Sequence, residues 1–387
     1  MTFKFCKCLS SKVVQIIISV CVLCWIVFLY RWTNTTSFTK INKQIYSAES
    51  KKNFKFGENT EHGSNSRLNK AELVSSEEKQ VPISFHYGEV KNNSISSPEE
   101  IDILITFTNA KTKHDLQTKF KNTVSSLFKY SSVSITIYII GDKDSQLIAE
   151  NILKEERHAS VYKMVKLDID PLIKKLDDIV KEMQKYFSDS QHSYYGQSLF
   201  FLSIAIHKVL PLDLHKVIML DSDLKFNADV KYLHELFSHF SIDNIIGIAH
   251  EAQPVYRHTF SSYRSQNPGT RVGEPSPDGL TGFNSGVLLL DLDRMRKSTL
   301  YNSLLNPNIV KNLTEKYQFK GHLGDQDFFT LLSLDYEKLF YVLPCSWNRQ
   351  LCVWWRDNGY KEVFDSYFKC EGKINIYHGN CNTPIPD

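Results

Sequence analysis

From residue 101 onward, short apolar runs alternate with stretches whose apolar residues recur at helical spacing. The runs are Ile101–Phe107, Val133–Ile140, Val161–Leu167, Lys216–Leu220, Ile245–Ala249 and Gly286–Leu290. Each is short, and most carry several β-branched residues, the pattern of a buried strand. Between them, Leu116, Phe120, Val124, Leu127 and Phe128 mark one helix face, and Leu147, Ile148, Ile152 and Leu153 a second. Leu172, Leu176, Ile179, Val180 and Met183 mark a third. Gly196 to Leu210 reads as a further helix, closed by Pro211. Strands alternating with helices predict an α/β fold, a Rossmann-like, mostly parallel sheet with helices on both faces. Gln253 to Leu280 holds prolines and glycines without periodicity and is expected to be a long loop over the active face.

The fourth run ends in Asp221-Ser222-Asp223. Two carboxylates at the C-terminal end of a buried strand lie where open α/β sheets bind ligands. They suit a hard divalent cation that can grip a diphosphate. Capping of the following helix is the alternative role for one of them. No Gly-x-Gly-x-x-Gly follows the first strand and no Gly-Lys-Ser/Thr loop occurs, which disfavours dinucleotide oxidoreductases and P-loop enzymes.

The N-terminal part has a different character. Val13 to Tyr30 is an uncharged, mainly apolar run just long enough to cross a bilayer as a helix. Lysines precede it, Trp25, Tyr30 and Trp32 lie at its far end, and a small-residue cleavage site is missing. The expected organisation is a cytoplasmic tail (1–12), an uncleaved transmembrane signal anchor (13–30), a mostly disordered polar stem (31–99) and a single catalytic domain (100–387). The sequons at Asn34, Asn92 and Asn312 all follow the anchor, which points to a type II protein with a lumenal domain.

Of eight cysteines, Cys345, Cys352, Cys370 and Cys381 cluster near the C-terminus without a CxxC pair. Two disulfides in an oxidising compartment fit this better than zinc, and spacing leaves three pairings open. In 387 residues, 42% apolar and 23% charged, the net charge of +3 is too near balance to suggest nucleic acid as a partner.

Four further stretches complete the pattern. Thr106-Phe107-Thr108 ends the first strand, Phe283-Asn284-Ser285-Gly286 enters a buried one, and His322-Leu323-Gly324-Asp325-Gln326-Asp327 precedes an apolar helix. Tyr377-His378-Gly379-Asn380 follows the last strand-like run. In this order, together with Asp-Ser-Asp, the motifs resemble glycosyltransferase family 8, retaining transferases that use nucleotide sugars. The resemblance spans Ile101 to Pro386 and the anchor-and-stem arrangement. It implies a GT-A-type sheet, and Asp221, Asp223 and His378 as ligands of Mn²⁺, with Mg²⁺ as substitute. Two carboxylates and one imidazole suit a transition metal better than Ca²⁺.

Further roles follow from the same resemblance. Thr106, Phe107 and Thr108 would form the uridine pocket. Ser222, Ser285, Leu323 and Gln326 would contact the donor sugar and diphosphate, and Asn380 the diphosphate or acceptor. Gln326 holds the family's central catalytic position, with Asp325 beside it; an amide is a poor nucleophile, so front-face attack is expected. Asp325 and Asp327 suit the first turn of a helix equally well, where the dipole favours acids, and Asn284 and Ser285 suit a turn. The branch of the family it resembles moves xylose from UDP-xylose to a xylose–glucose disaccharide on serine of EGF-like repeats of the Notch type. Gln326, Asn380 and above all Trp355, from the cluster Trp347, Trp354 and Trp355, would face that acceptor. The implied disulfides are Cys345–Cys370 and Cys352–Cys381. The implied location is the endoplasmic reticulum membrane, with the Golgi as alternative, and a homodimer is compatible. Competing readings are a transferase using UDP-glucose or UDP-galactose, and a catalytically silent membrane protein that binds glycans.

Overall fold

A computed structural model describes residues 100–156, 162–188 and 197–386. The expected tail, anchor and stem, and the sequons at Asn34 and Asn92, lie outside the described residues. Among the described residues, no helix is long and apolar enough to cross a membrane. The remaining sequon residue, Asn312, is exposed on a helix while Thr314 is buried against the core.

Among the described residues, ten strands build two sheets. They are β1 (Glu100–Thr106), β2 (Ser134–Gly141), β3 (Tyr162–Asp168), β4 (Lys216–Leu220) and β5 (Leu224–Phe226), followed by β6 (Ile246–His250), β7 (Phe283–Asp291), β8 (Phe340–Leu343), β9 (Arg349–Gln350) and β10 (Ile376–His378). The large sheet has the order β3-β2-β1-β4-β7-β6-β8. Its pairs are parallel except those made by β7, which runs against both β4 and β6. The small sheet has the order β5-β10-β9.

The helices of ten residues or more among the described residues are α1 (His114–Tyr130), α2 (Lys143–Glu156), α3 (Ile169–Phe187), α4 (Pro307–Lys316) and α5 (Asp325–Tyr336). Local chemistry sets their starts. Asp168 accepts from Asp170 N at the head of α3, and Asn306 caps α4 with Pro307 in its first turn. Strand alternation divides the core. Ile101, Ile103 and Ile105 of β1 and Ile135, Ile137 and Ile139 of β2 pack with Phe120, Val124 and Leu127 of α1 and Ala149 and Ile152 of α2. Leu104, Ile140 and Leu167 pack with Leu172, Leu176 and Val180 of α3 and Phe328 and Leu332 of α5. Each fully buried aliphatic or aromatic side chain contributes roughly 1.5–3 kcal/mol.

Several expectations change. The segment after Gln197 is not one helix. Ser198–Phe201 and Ile206–Lys208 are 3₁₀ turns flanking a single α-turn, Leu202–Ala205. Phe201 through Ile206 are all buried, so no amphipathic face organises a regular helix there. The stretch from Gln253 to Leu280 contains two short helices, Val255–Thr259 and Ser261–Gln266. Leu147 points outward, and α2 instead buries Ser145, Gln146 and Ala149. Trp347 belongs to the core.

The topology fixes where a site can form. The strand order reverses between β1 and β4, so a crevice opens beyond their C-terminal ends, at Thr106 and Asp221. α1 closes one side of it. Thr123, fully buried, lies 2.8 Å from Ser222 O and 2.9 Å from Leu224 O, sharing its one proton between them. It also accepts from Leu224 N at 3.0 Å. One hydroxyl therefore holds the backbone of the Asp-Ser-Asp turn. Thr123→Val keeps the shape and strands those groups in the core. It is expected to cost about 1–3 kcal/mol in denaturant unfolding, and Thr123→Ser should recover part of the loss.

Candidate active site

The chain reaches the crevice from three directions. β4 delivers Asp221, and the turn into β5 delivers Asp223. β10 then returns from the tail, antiparallel to β5, with His378 in register with Leu224. That register sets the imidazole beside the acidic pair. Gly379 N donates to Asp223 O at 2.9 Å, and Asp221 N to Gly286 O at 2.9 Å. His378 Nε2 lies 3.5 Å from Asp221 Oδ2 and 3.3 Å from Asp223 Oδ1. The three donor atoms lie within 4.8 Å of one another. Two carboxylates and an imidazole at that spacing fit a divalent transition metal. Gly286 makes room for the ring, since a Cβ there would sit 2.4 Å from His378 Cε1.

Hydrogen bonds dictate which imidazole nitrogen faces the carboxylates. Glu251, directly after β6 and 4% exposed, accepts from Asn284 Nδ2 at 3.1 Å. Asn284 is thereby oriented, and its Oδ1 accepts from Asn348 Nδ2 at 2.9 Å. Asn348 is oriented in turn, and its Oδ1 lies 3.0 Å from His378 Nδ1. Nδ1 must then carry a proton, so Nε2 is the nitrogen turned to Asp221 and Asp223 and the one a metal ion would take. The same Glu251 oxygen accepts from Gln326 Nε2 at 3.3 Å, so the Gln326 carbonyl oxygen is the free end of that amide.

The electrostatics agree with a site waiting for charge. Asp221 is pushed up by desolvation in the crevice, a weak effect for a side chain that is 55% exposed, and by Asp223 and Asp325, against the opposing pull of His378. At Asp223, burial is outweighed by the His378 hydrogen bond and charge, with Lys119 adding to them, and the carboxyl is held below its usual range. Burial alone would lower His378, but Asp223 and Asp221 raise it. Burial pushes Glu251 up to about 7 and Asp325 up to about 6.

The other expected residues fall into distinct positions. Asp325, the first residue of α5, accepts from the hydroxyls of Ser203 and Ser285 and from Gln326 N. Both its oxygens are engaged, so it fixes Ser285 and the start of α5. Asp327 accepts from His322 N, Leu323 N and Tyr256 Oη, which wraps the Leu323 loop around a buried carboxylate. Ser222 is buried, with its hydroxyl 3.5 Å from Thr106 O. Thr106 Oγ1 is buried with no hydrogen-bond partner among the described residues. Phe107 is fully buried against Phe120 (ring centroids 4.5 Å apart), which leaves Thr108 and the backbone to face a ligand. Asn380 Oδ1 accepts from Leu351 N at 3.0 Å and Cys352 N at 2.9 Å, so that oxygen clamps the tail. The structure joins Cys345 to Cys370 and Cys352 to Cys381, the pairing implied by the resemblance. Trp355 packs at a tilt against His258, ring centroids 4.9 Å apart, and meets exposed Trp354 and also Tyr360 edge-on. His258 comes from the first short helix after β6.

Sequence reasoning missed Glu251, Asn348, Thr123 and Lys119. Glu251 carried a signal, since it follows a buried strand directly, as Asp221 does. The others belong to no short motif.

Residues 111–378 match the family model described as glycosyl transferase family 8. Human xyloside xylosyltransferase 1 is 47% identical over 299 residues, covering 76% of each chain. The apo crystal structure of mouse xyloside xylosyltransferase 1 superposes with a TM-score of 0.72 at 47% identity, covering 74% of this chain and all of that one. Rat xylosyl- and glucuronyltransferase LARGE2 is 29% identical over 175 residues, covering 44% of this chain and 23% of its own.

Two outcomes follow from this geometry. Glu251→Gln removes the group that can only accept, freeing both asparagines to flip. Mn²⁺ affinity by calorimetry should fall about 10-fold or more, the usual cost of losing a metal ligand's outer support. A divalent ion such as Mn²⁺ at the triad would have to displace the protons that His378 and, in part, Asp221 hold above their ordinary ranges. Its affinity should therefore rise as pH increases through the neutral range. An affinity independent of pH there would mean that other groups bind the ion.

Proposed function

The chain belongs to glycosyl transferase family 8, and from that premise we propose that it transfers xylose, with retention, from UDP-xylose to the xylose–glucose disaccharide on serine of EGF-like repeats. The glycosyltransferase activity follows from the family. The name of the relatives at 46–47% identity supports xylosyl transfer to a xyloside. The UDP carrier and the glucose–serine linkage on an EGF-like repeat rest on the motif resemblance alone. The observation that carries the reading is the meeting of Asp221, Asp223 and His378 beside the tethered amide of Gln326.

In this reading Asp221, Asp223 and His378 would hold Mn²⁺, which would supply positive charge to offset the negative charge that builds on the departing diphosphate. Thr106 and Thr108 border the uridine, and the unpartnered Thr106 hydroxyl has a polar group to meet. Glu251 Oε1, buried without a hydrogen-bond partner among the described residues, is suited to a sugar hydroxyl. The bond between the anomeric carbon and the diphosphate oxygen breaks, and one to the acceptor oxygen forms on the same face. The acceptor proton passes to the departing phosphate. The free carbonyl oxygen of Gln326 stabilises the positive charge that develops on the sugar. Asp325 acts as a positioning residue, since its oxygens already serve Ser203, Ser285 and α5. The aromatic group of Trp354, Trp355 and Tyr360 offers flat faces for the acceptor.

We place the domain in the lumen of the endoplasmic reticulum, anchored by residues 13–30. The two disulfides support an oxidising compartment.

Purified protein with Mn²⁺ and a disaccharide-bearing EGF repeat should release UDP from UDP-xylose, and far less from UDP-glucose or UDP-galactose. A pocket closed to the C6 hydroxymethyl rejects both hexoses. Equal turnover of a hexose donor would overturn the donor assignment, and the absence of Mn²⁺-dependent UDP binding would overturn the transferase reading. Gln326→Ala should lower the single-turnover rate by about 10²–10³, the scale for losing one preorganised dipole, with UDP affinity retained. Loss of affinity alone would refute that role.

A further inference from the structure

α1 meets the Asp-Ser-Asp turn with two polar side chains one helical turn apart. Thr123 grips the turn's backbone. Lys119, four residues earlier and therefore on the same helix face, runs along the turn toward the metal ligands. Its Nζ lies 4.0 Å from Asp223 Oδ2 and donates to Asn382 Oδ1. The side chain is only 29% exposed, with a neutral amide as its close partner and the carboxylate at the outer limit of an ion pair. An ammonium in such a setting keeps most of its charge uncompensated. Asn382 is itself fixed, in the left-handed region (φ 58°), directly after the disulfide-bonded Cys381. The tail thus parks a cation beside the carboxylate that a metal would take.

Charge counting shows what that cation can do. Asp221 and Asp223 together cancel a divalent ion, and His378 coordinates it as a neutral ring. The occupied triad is then close to neutral, whereas the diphosphate of a nucleotide sugar is dianionic and gains charge as it leaves. We propose that Lys119 is a diphosphate-binding residue of the donor site: once the metal occupies Asp223, its ammonium turns from Asp223 and Asn382 to the phosphate oxygens. This rests on the donor reading above and adds to it a second positive charge, from α1.

Calorimetry on the full chain tests it, with Mn²⁺ alone, then UDP and uridine in the presence of Mn²⁺. For Lys119→Met, UDP affinity should fall roughly 10- to 100-fold, the range for one charge-assisted hydrogen bond. Uridine affinity should be unchanged, and Mn²⁺ affinity equal or higher because a competing cation has gone. Lys119→Arg should keep most of the UDP affinity. Asn382→Ala, which removes the parking partner and leaves the ammonium, should also keep it. Equal UDP binding by Lys119→Met and wild type would overturn the assignment. So would a parallel loss in Lys119→Met and Asn382→Ala, which would make Lys119 a clamp for the tail. A fall in Mn²⁺ affinity matching the UDP loss would likewise overturn it. If wild type bound no UDP with Mn²⁺, the donor reading would fall and this assignment with it.

Discussion

The site depends on one backbone pairing, β10 laid antiparallel on β5 with His378 opposite Leu224. β4 and its turn can supply two acids, but two acids alone repel and stay solvated. The returning strand contributes the third donor, excludes water from one side and ties the turn through Gly379 N to Asp223 O. Slipping β10 by one residue would put Tyr377 or Gly379 where the imidazole stands and turn the ring to the opposite face. The devices around the tail all defend that register. β9 pairs with β10 on its other edge, Asn380 takes the amides of Leu351 and Cys352, and a disulfide closes Cys352 to Cys381.

A second constraint is polarity. An amide can present either end, so two asparagines and a glutamine would leave the site undefined without an anchor. Glu251 is that anchor, because an ionised carboxylate can only accept. Its position behind Asn284, Asn348 and Gln326 orders both the metal-facing nitrogen of His378 and the free oxygen of Gln326. Burial works against this arrangement by raising the Glu251 carboxyl to about 7. The positive charge of a bound metal would favour the ionised form and reinforce the chain of bonds.

Much of the central sheet was legible because its strands are buried on both faces and therefore read as unbroken apolar runs. The Asp221 pair was legible because carboxylates at the end of such a run have few structural uses. The helix expected after Gly196 was misread because residues buried on every side leave no period to detect. The two helices after Gln253 and strands β5, β9 and β10 are too short for any period. His378, Gln326 and the disulfide pairing were reached through the resemblance, since a lone histidine or glutamine carries no signal of its own. Glu251, Asn348 and Lys119 act through partners far away in the chain, and single-sequence patterns do not record such contacts.

The position of His378 also sets an order of events during biosynthesis. The ribosome emits both acids and the whole large sheet well before it emits the imidazole, and Cys381 emerges later still. A nascent chain can therefore complete the large sheet while lacking the three-donor cluster, and gains it only when β10 has emerged and paired with β5. Assembly of the site is tied in this way to the late pairing of β10 on β5 and to closure of Cys352–Cys381 beside it, two steps that a ligand set drawn from one contiguous stretch would bypass.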